Sequence, residues 1–171
     1  MNIKISDIYD VLRTELVEHD DANYTVSEFC TGIDMSRATF YRSYKSLSEV
    51  YQMVISYQVE RNLNGYPNRR IEVSYRMLLE HMREEANLYH SFYRQTKRLF
   101  FFDVLEPLIF KNLRLHYSDA ALSDVAIGMI CTPITHIIVR YIDHDFEEDI
   151  DDVYQAIYRV LAVAENVKSI L

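Results

Sequence analysis

The sequence predicts an all-α protein, and three observations lead to that prediction. The 171 residues include only three glycines and three prolines, which favours long helices with short connections. Apolar residues recur at three- and four-residue intervals along most of the chain. A hydroxyl residue followed three positions later by Glu occurs at Thr25 and Ser46, and this pattern marks helix starts. Roughly nine helices are expected, and 49% hydrophobic content is enough for a sizeable core.

The predicted helices follow one another with few breaks. An amphipathic first helix carries Ile8, Leu12 and Leu16 on its inner stripe. The run Asn-Gly-Tyr-Pro after position 63 is a strong stop signal for the fourth helix. The expected helices are 3–19, one from 25, one from 36, 46–64, 71–85, 88–99, 100–117, 119–142 and 147–171.

Residues 25–46 carry the most specific pattern in the chain. Thr25 and Glu28 form a capping box, the stretch 32–34 interrupts the helix that follows, and Ser36 can cap the next one. At about 100° per residue, Phe40 and Tyr44 lie on one side of that next helix. Two short helices joined by a tight turn are typical of a helix-turn-helix DNA-binding unit. Its outer arc is expected to present Arg37, Ala38, Tyr41, Arg42 and Lys45.

This run resembles the DNA-binding domain of the tetracycline-repressor (TetR) family. The resemblance rests on Thr25-Val26, Cys30 and the stretch 36–44, Ser-Arg-Ala-Thr-Phe-Tyr-Arg-Ser-Tyr, and covers about a third of the chain. It implies a DNA-binding domain at 1–46 and a ligand-binding and dimerisation domain at 47–171, with helix 47–64 connecting the two. The residues that it assigns to DNA binding are Thr25, Ser36, Arg37, Ala38, Thr39, Tyr41, Arg42 and Lys45.

Two positions depart from the family pattern. The family usually has Gly where Asp34 stands, because the turn needs a positive φ, and Asp is among the better non-glycine residues there. Many members carry a Lys that touches a phosphate where this chain has Leu47. One phosphate contact per subunit is therefore expected to be missing.

The charge of the chain limits the kind of DNA binding that is possible. The formal net charge is −8, whereas a non-specific nucleic-acid binder is normally basic. Any DNA binding must therefore be local and geometric. Two alternatives stay open: a helical hairpin whose Tyr and Arg side chains simply solvate a surface, and an adaptor with weak or no specific DNA binding that works by binding another regulator.

The last two predicted helices carry unusually broad apolar stripes. A monomer would leave part of such stripes exposed to water. We therefore predict a homodimer with two-fold symmetry, in which these helices of both subunits form a four-helix bundle; the alternative is that both helices are plain core. The predicted interface residues are Ile127, Ile130, Ile134, Ile138, Tyr141, Tyr154, Ile157, Leu161 and Ala164.

Seven acids and one His lie in the segment 143–152, between these two helices. Hard cations prefer several carboxylates, but the spacing does not match an EF-hand loop. The interpretation favoured here is that the acids stabilise the N-terminus of the last helix through its dipole. Whether the segment binds a cation stays open.

A small-molecule effector is expected between the helices at 71–85 and 119–142. The candidate lining residues are aromatic, apolar or weakly polar, and a plain core is the alternative. We expect the effector to shift helix 47–64 and change the separation of the two DNA-binding helices, through a coupling of about 1–3 kcal/mol. The candidate lining residues are Tyr75, Leu78, Met82, Tyr89, Tyr93, Met129, Thr132 and His136.

Catalysis has little support in the sequence. There is no glycine-rich phosphate loop or Gly-x-Ser-x-Gly motif, and the six His are scattered singly, so no enzyme activity, cofactor or metal is expected. Cys30 and Cys131 are expected to be small buried residues rather than a disulfide. Because no signal peptide or membrane span is recognised, a cytoplasmic regulator is predicted, with an operator DNA, an unknown effector and a second copy as partners and no membrane.

Overall fold

Eight α-helices run through the part of the chain that the structure describes. The structure is a computed structural model, and it describes residues 4–18, 24–65, 69–118 and 122–168, without the side chains of 17–18, 95–101 and 164–168. The all-α class is confirmed. The helices are α1 (Ile5–Glu18), α2 (Val26–Gly32), α3 (Arg37–Ser43), α4 (Leu47–Asn64), α5 (Ile71–Glu84), α6 (Ala86–His116), α7 (Asp124–Asp143) and α8 (Ile150–Lys168).

The long helix α6 corrects one sequence prediction. The two helices predicted over 88–99 and 100–117 are a single helix, and Pro107 lies inside it. No Gly or Pro separates the two predicted halves, so no local signal ends the helix there. Pro107 removes one backbone hydrogen bond, which the long helix tolerates.

The first three helices share a small apolar core. Ile8, Leu12 and Leu16 of α1 are buried, as their spacing predicts. Phe29 of α2 and Phe40 of α3 are fully buried and meet edge to face, with ring centroids 5.7 Å apart. The core fixes the angle between α2 and α3.

Helices α4 and α6 run side by side in the same direction. The rings of Tyr51 and Phe92 lie 6.3 Å apart near one end. Near the other end, the Asn112 amide donates to the carbonyl oxygen of Leu63 at 3.2 Å. Helix α6 also packs against α1, α5 and α7, so it connects the N-terminal helices to the rest of the chain.

Helix α8 begins three residues later than predicted, because a turn with unusual backbone geometry precedes it. Asp145 and Phe146 both have left-handed φ values, 53° and 58°. The Phe146 side chain is buried and packs on His90, 5.1 Å between ring centroids, and on Tyr141 at 4.9 Å. This packing holds the turn against α6. Helix α8 then packs on α7 and α5.

Helix α7 corrects the expectation that no segment is long and apolar enough to span a membrane. Its 20 residues pass that test by length and composition, with a mean hydropathy of 1.6 over 18 residues. Half of that stretch is buried inside the fold. Core helices of water-soluble proteins have the same property, so the test does not identify a membrane protein.

Both cysteines are free thiols within the described residues, as predicted. Cys30 and Cys131 are buried. Burial raises the pKa of Cys131 to about 11 and also raises that of Cys30. Buried thiols of this kind are poor nucleophiles, because the thiolate is the reactive form.

Candidate nucleic-acid interface

The turn between α2 and α3 is built from local hydrogen bonds that the sequence predicted. The Thr25 hydroxyl accepts from the Glu28 N–H at 3.3 Å, and the Thr25 N–H donates to Glu28 Oε2 at 2.7 Å, which completes the capping box. The Ser36 hydroxyl accepts from the Thr39 N–H at 3.1 Å. Asp34 has the predicted positive φ, 51°. These bonds fix where each helix begins.

The predicted division of α3 into two faces is confirmed. Phe40 is fully buried and Tyr44 is partly buried against it. The opposite face is open to solvent, and the Tyr41 side chain is 55% exposed. Arg37, Ala38 and Arg42 are also exposed. Lys45 is exposed too, but it follows α3, which ends at Ser43, and so does not lie on the predicted helical arc.

Hydroxyl groups order one edge of this exposed face. The hydroxyls of Ser36 and Thr39 lie 2.9 Å apart, and Arg42 Nη2 donates to Thr39 Oγ1 at 3.2 Å. The guanidinium of Arg42 is thereby held along the helix rather than free to rotate. At the far end of the unit, the Thr25 hydroxyl donates to Glu28 Oε2 at 2.7 Å. A DNA contact by Thr25 or Thr39 therefore has to share a hydroxyl that already has partners.

At the position of the missing Lys, this chain has a buried leucine at the start of a capped helix. The Leu47 side chain is buried in the core, so it faces away from any duplex. Ser46 caps α4 by accepting from the Glu49 N–H at 3.3 Å. The Glu49 carboxylate accepts from the Lys45 N–H at 2.5 Å, one residue earlier than the predicted capping box. The backbone that follows α3 is therefore fixed by helix capping.

The predicted dimer residues are placed mainly inside the chain's own core. Ile130 and Tyr154 are only partly buried, and Ala164 lies outside the described side chains. The other six have at most 3% of their surface exposed, so they offer almost no surface to a partner. The stripes were broad, and the prediction assigned the interface to the half that faces inward. Those six residues are Ile127, Ile134, Ile138, Tyr141, Ile157 and Leu161.

The outward halves of the two helices carry apolar side chains that the sequence reasoning did not assign to the interface. On α7 the exposed side chains are Val125 (75%) and Met129 (76%). On α8 they are Val163 (63%) and Tyr158 (42%). Their spacing was visible in the sequence, but nothing in one sequence marks which half of a broad stripe is outside.

The predicted ligand residues do not come together in one cavity. Met129, Thr132 and His136 are exposed on α7, about 140–200° around the helix from its buried Ile127. They cannot line a cavity with the buried α5 residues, because the core stripe of α7 lies between. Thr132 instead donates to Glu106 Oε1 at 2.9 Å, and the His136 ring lies 4.7 Å from that of Phe102. The fully buried members are Tyr75, Leu78, Met82 and Tyr89.

Two of the tyrosines in that set differ in the hydrogen bonding of their hydroxyl groups. Tyr93 is partly buried, and its hydroxyl donates to Asp143 Oδ1 at 2.6 Å. Tyr75 is fully buried, which raises its pKa well above the ordinary value, and its hydroxyl finds no hydrogen-bond partner among the described residues. A buried unpaired hydroxyl costs about 1–3 kcal/mol. Tyr75 is thus a point where a polar ligand atom would be stabilising.

A surface groove with a volume of about 330 Å³ lies between α7 and α8. It contains part of the acidic segment, and Glu148 there pairs with His144 at 2.7 Å. Among the described residues, no group of three or more His, Cys, Asp or Glu side chains is arranged to hold a metal ion. The groove is lined by Ile137, Arg140, Tyr141, Glu148, Asp149, Asp152, Val153 and Ala156.

Comparison with solved structures shows the same fold in other proteins. The dihydroxyacetone kinase operon activator DhaS has a TM-score of 0.65 over 92% of this chain and 94% of its own, at 16% identity. The TetR family repressor AlkX from Dietzia sp. strain DQ12-45-1b, implicated in biodegradation of n-alkanes, has a TM-score of 0.61 over 96% and 98%, also at 16% identity. No protein-family model and no curated protein matches the sequence. The fold of this chain is that of a TetR family repressor over nearly its whole length.

Proposed function

From this shared fold, we propose that the chain is a DNA-binding transcription regulator that binds a palindromic operator as a dimer and responds to a ligand. One observation carries the proposal: α3 presents Arg37, Tyr41 and Arg42 to solvent, with Lys45 exposed just after its end, while Phe40 fixes its other face in the core. No acid lies between Asp34 and Glu49 to oppose a phosphate. The named neighbours include one activator and one repressor, so the fold does not determine the direction of regulation.

The dimer would supply the second DNA-binding unit that a palindromic site requires. We place its seam on the outward faces of α7 and α8, around Val125, Met129, Tyr158 and Val163. These side chains leave apolar surface in water on two neighbouring helices. Two copies related by a two-fold axis would bury the same surface on both sides.

The effector is proposed to enter the core beside Tyr75, whose hydroxyl has no hydrogen-bond partner in the described part of the chain. Leu78 and Met82 follow Tyr75 on the same buried face of α5 and would form the apolar wall. Because α5 packs on α4, a ligand there would shift α4, whose first residue follows α3 closely in the chain. The protein is proposed to act by binding rather than by catalysis, and in the cytoplasm.

The experiment that tests the DNA-binding function is selection of binding sites from random duplex DNA by the purified protein. We expect a palindromic consensus. If two or three phosphates are neutralised per subunit, log affinity should fall with log salt with a slope of about −4 to −5, at roughly −0.9 per phosphate.

Lys45→Ala should weaken binding to all sequences alike and flatten that slope, because Lys45 is proposed to contact phosphate. Glu60→Gln, on the far part of α4, serves as the control and should leave the slope unchanged. Selection of no sequence by the wild-type protein would contradict the proposal and favour the adaptor, which the exposed acids Asp7 and Asp10 on α1 would suit.

A further inference from the structure

The residue at the junction between α5 and α6 contacts the N-terminal helix α1. Glu85, the residue between the two helices, has only 7% of its surface exposed. Its Oε1 lies 2.9 Å from Nε of Arg13 on α1. Tyr9, one helical turn before Arg13, lies near the same carboxylate, whose negative charge helps to raise the Tyr9 pKa. Two side chains of α1 therefore lie beside one buried carboxylate.

The protonation states around Glu85 favour this arrangement. Burial, and then the Glu85 carboxylate, raises the pKa of Tyr9 to about 12, so its hydroxyl keeps its proton. The His81 ring lies between those of Tyr9 and Tyr89, with centroids 6.4 Å and 6.1 Å away. Burial, and then the charges of Arg61 and Arg13, lowers the pKa of His81 to about 4.

The next two turns of α6 hold the turn between α7 and α8. Tyr93 donates to Asp143 at 2.6 Å, and His90 Nε2 lies 3.2 Å from Asp145 Oδ1. The segment 85–93 thus contacts α1 at one end and the α7–α8 turn at the other. It links the N-terminal helices to the pair of helices that we propose to lie at the two-fold axis.

We propose that Glu85 is a positioning residue that fixes the orientation of the N-terminal helices relative to α7 and α8, and so sets the half-site spacing that the dimer accepts. The DNA part of this inference rests on the proposed function. Without the carboxylate, Arg13 loses its ion-pair partner, and α1 loses a polar anchor at the junction of α5 and α6. Base recognition by α3 is not affected, because α2 and α3 are held by their own caps and core.

The first test uses hydrogen exchange of the full-length protein without DNA. In Glu85→Ala and Arg13→Ala, amides of α1 should exchange about tenfold faster or more, because local opening becomes easier. Glu85→Gln keeps the shape and a polar side chain beside Arg13, so it should have a smaller effect. The double variant R13E/E85R should move exchange back toward the wild type. Glu60→Gln is the matched control: it breaks the ion pair between α4 and Lys111 of α6, far from α1, and should leave α1 unchanged.

The second test measures affinity for operators whose half-site spacing is varied by single base pairs. Wild type and Glu60→Gln should prefer one spacing, whereas Glu85→Ala should bind neighbouring spacings within about threefold of the best one and keep its base preference. Unchanged exchange in Glu85→Ala and Arg13→Ala would overturn the inference, and so would faster exchange with an unchanged spacing preference. If wild type selects no DNA sequence, the proposed function fails, while α1 exchange still decides whether Glu85 anchors α1.

Discussion

The α2–α3 unit and helix α7 both present side chains that we propose for contact with another molecule, but they hold them differently. In α3, seven residues long, a capping serine and a row of hydroxyl bonds order the exposed face. In α7, twenty residues long, Met129 is exposed only because Ile127, Ile134 and Ile138 occupy the core on the other side. Substitutions on α3 should therefore change binding one contact at a time. On α7, neighbouring positions should respond in opposite ways.

The largest effect is expected for Ile134→Asp, on the inward face of α7. The variant buries an unpaired carboxylate among apolar side chains and should lose more than about 4 kcal/mol of unfolding free energy. Urea denaturation followed by circular dichroism measures this loss. A folded but monomeric Ile134→Asp would show that the position lies at the seam after all.

Met129→Asp, on the outward face, should instead leave the fold intact and weaken the dimer. Two charges related by the two-fold axis would enter the seam, with an expected loss of about 2–4 kcal/mol of association free energy. Sedimentation velocity over a concentration series measures the dissociation constant, and thermal unfolding checks the fold. A wild type that is monomeric at micromolar concentration would contradict the dimer proposal. If Met129→Asp and Val163→Asp both form dimers as stable as the wild type, the seam lies elsewhere.

The contrast between these regions also explains what the sequence could predict. Caps and turns are encoded by residues three positions apart, so Thr25, Ser36 and Asp34 were correctly placed from the sequence. The breadth of an apolar stripe does not reveal which half faces the chain's own core, and so six of the nine residues predicted for the interface lie in that core. The ion pair between Arg13 and Glu85 joins residues far apart in sequence, and no local pattern marks it. The predicted ligand residues do not come together for the same reason, because Tyr75 is buried in the core whereas Met129 lies on the exposed face of α7.

On the exposed face of α3, Arg37→Ala should cost about 1–3 kcal/mol of binding free energy per half-site and relax the preference at one base pair. A guanidinium at the start of the helix can reach a guanine edge. Affinities for a series of single-base variants of the operator, at one fixed salt concentration, measure the effect. Equal loss on every sequence would indicate a phosphate contact in place of base recognition.

The smallest loss of unfolding free energy is expected when the N-cap of α3 is removed. Ser36→Ala removes the acceptor of the Thr39 N–H and should lower the unfolding free energy by about 1 kcal/mol. Ser43→Ala, at the other end of the same helix, is the matched control and should change stability by less than about 0.5 kcal/mol. Equal effects in the two variants would show that the cap is not what holds α3.

The length of helix α4 determines how far its end beside α3 moves when the helix tilts. Its 18 residues span about 27 Å at 1.5 Å per residue, from the bond of Leu63 to Asn112 at one end to Leu47 beside α3 at the other. If the end near Asn112 acts as a pivot, a tilt of about 5° moves the other end by roughly 2.4 Å. Opposite movements in the two subunits would change the separation of the two DNA-binding helices by almost 5 Å, more than the 3.4 Å between stacked base pairs. A small rotation of α4 would thus be amplified into a full step along the DNA.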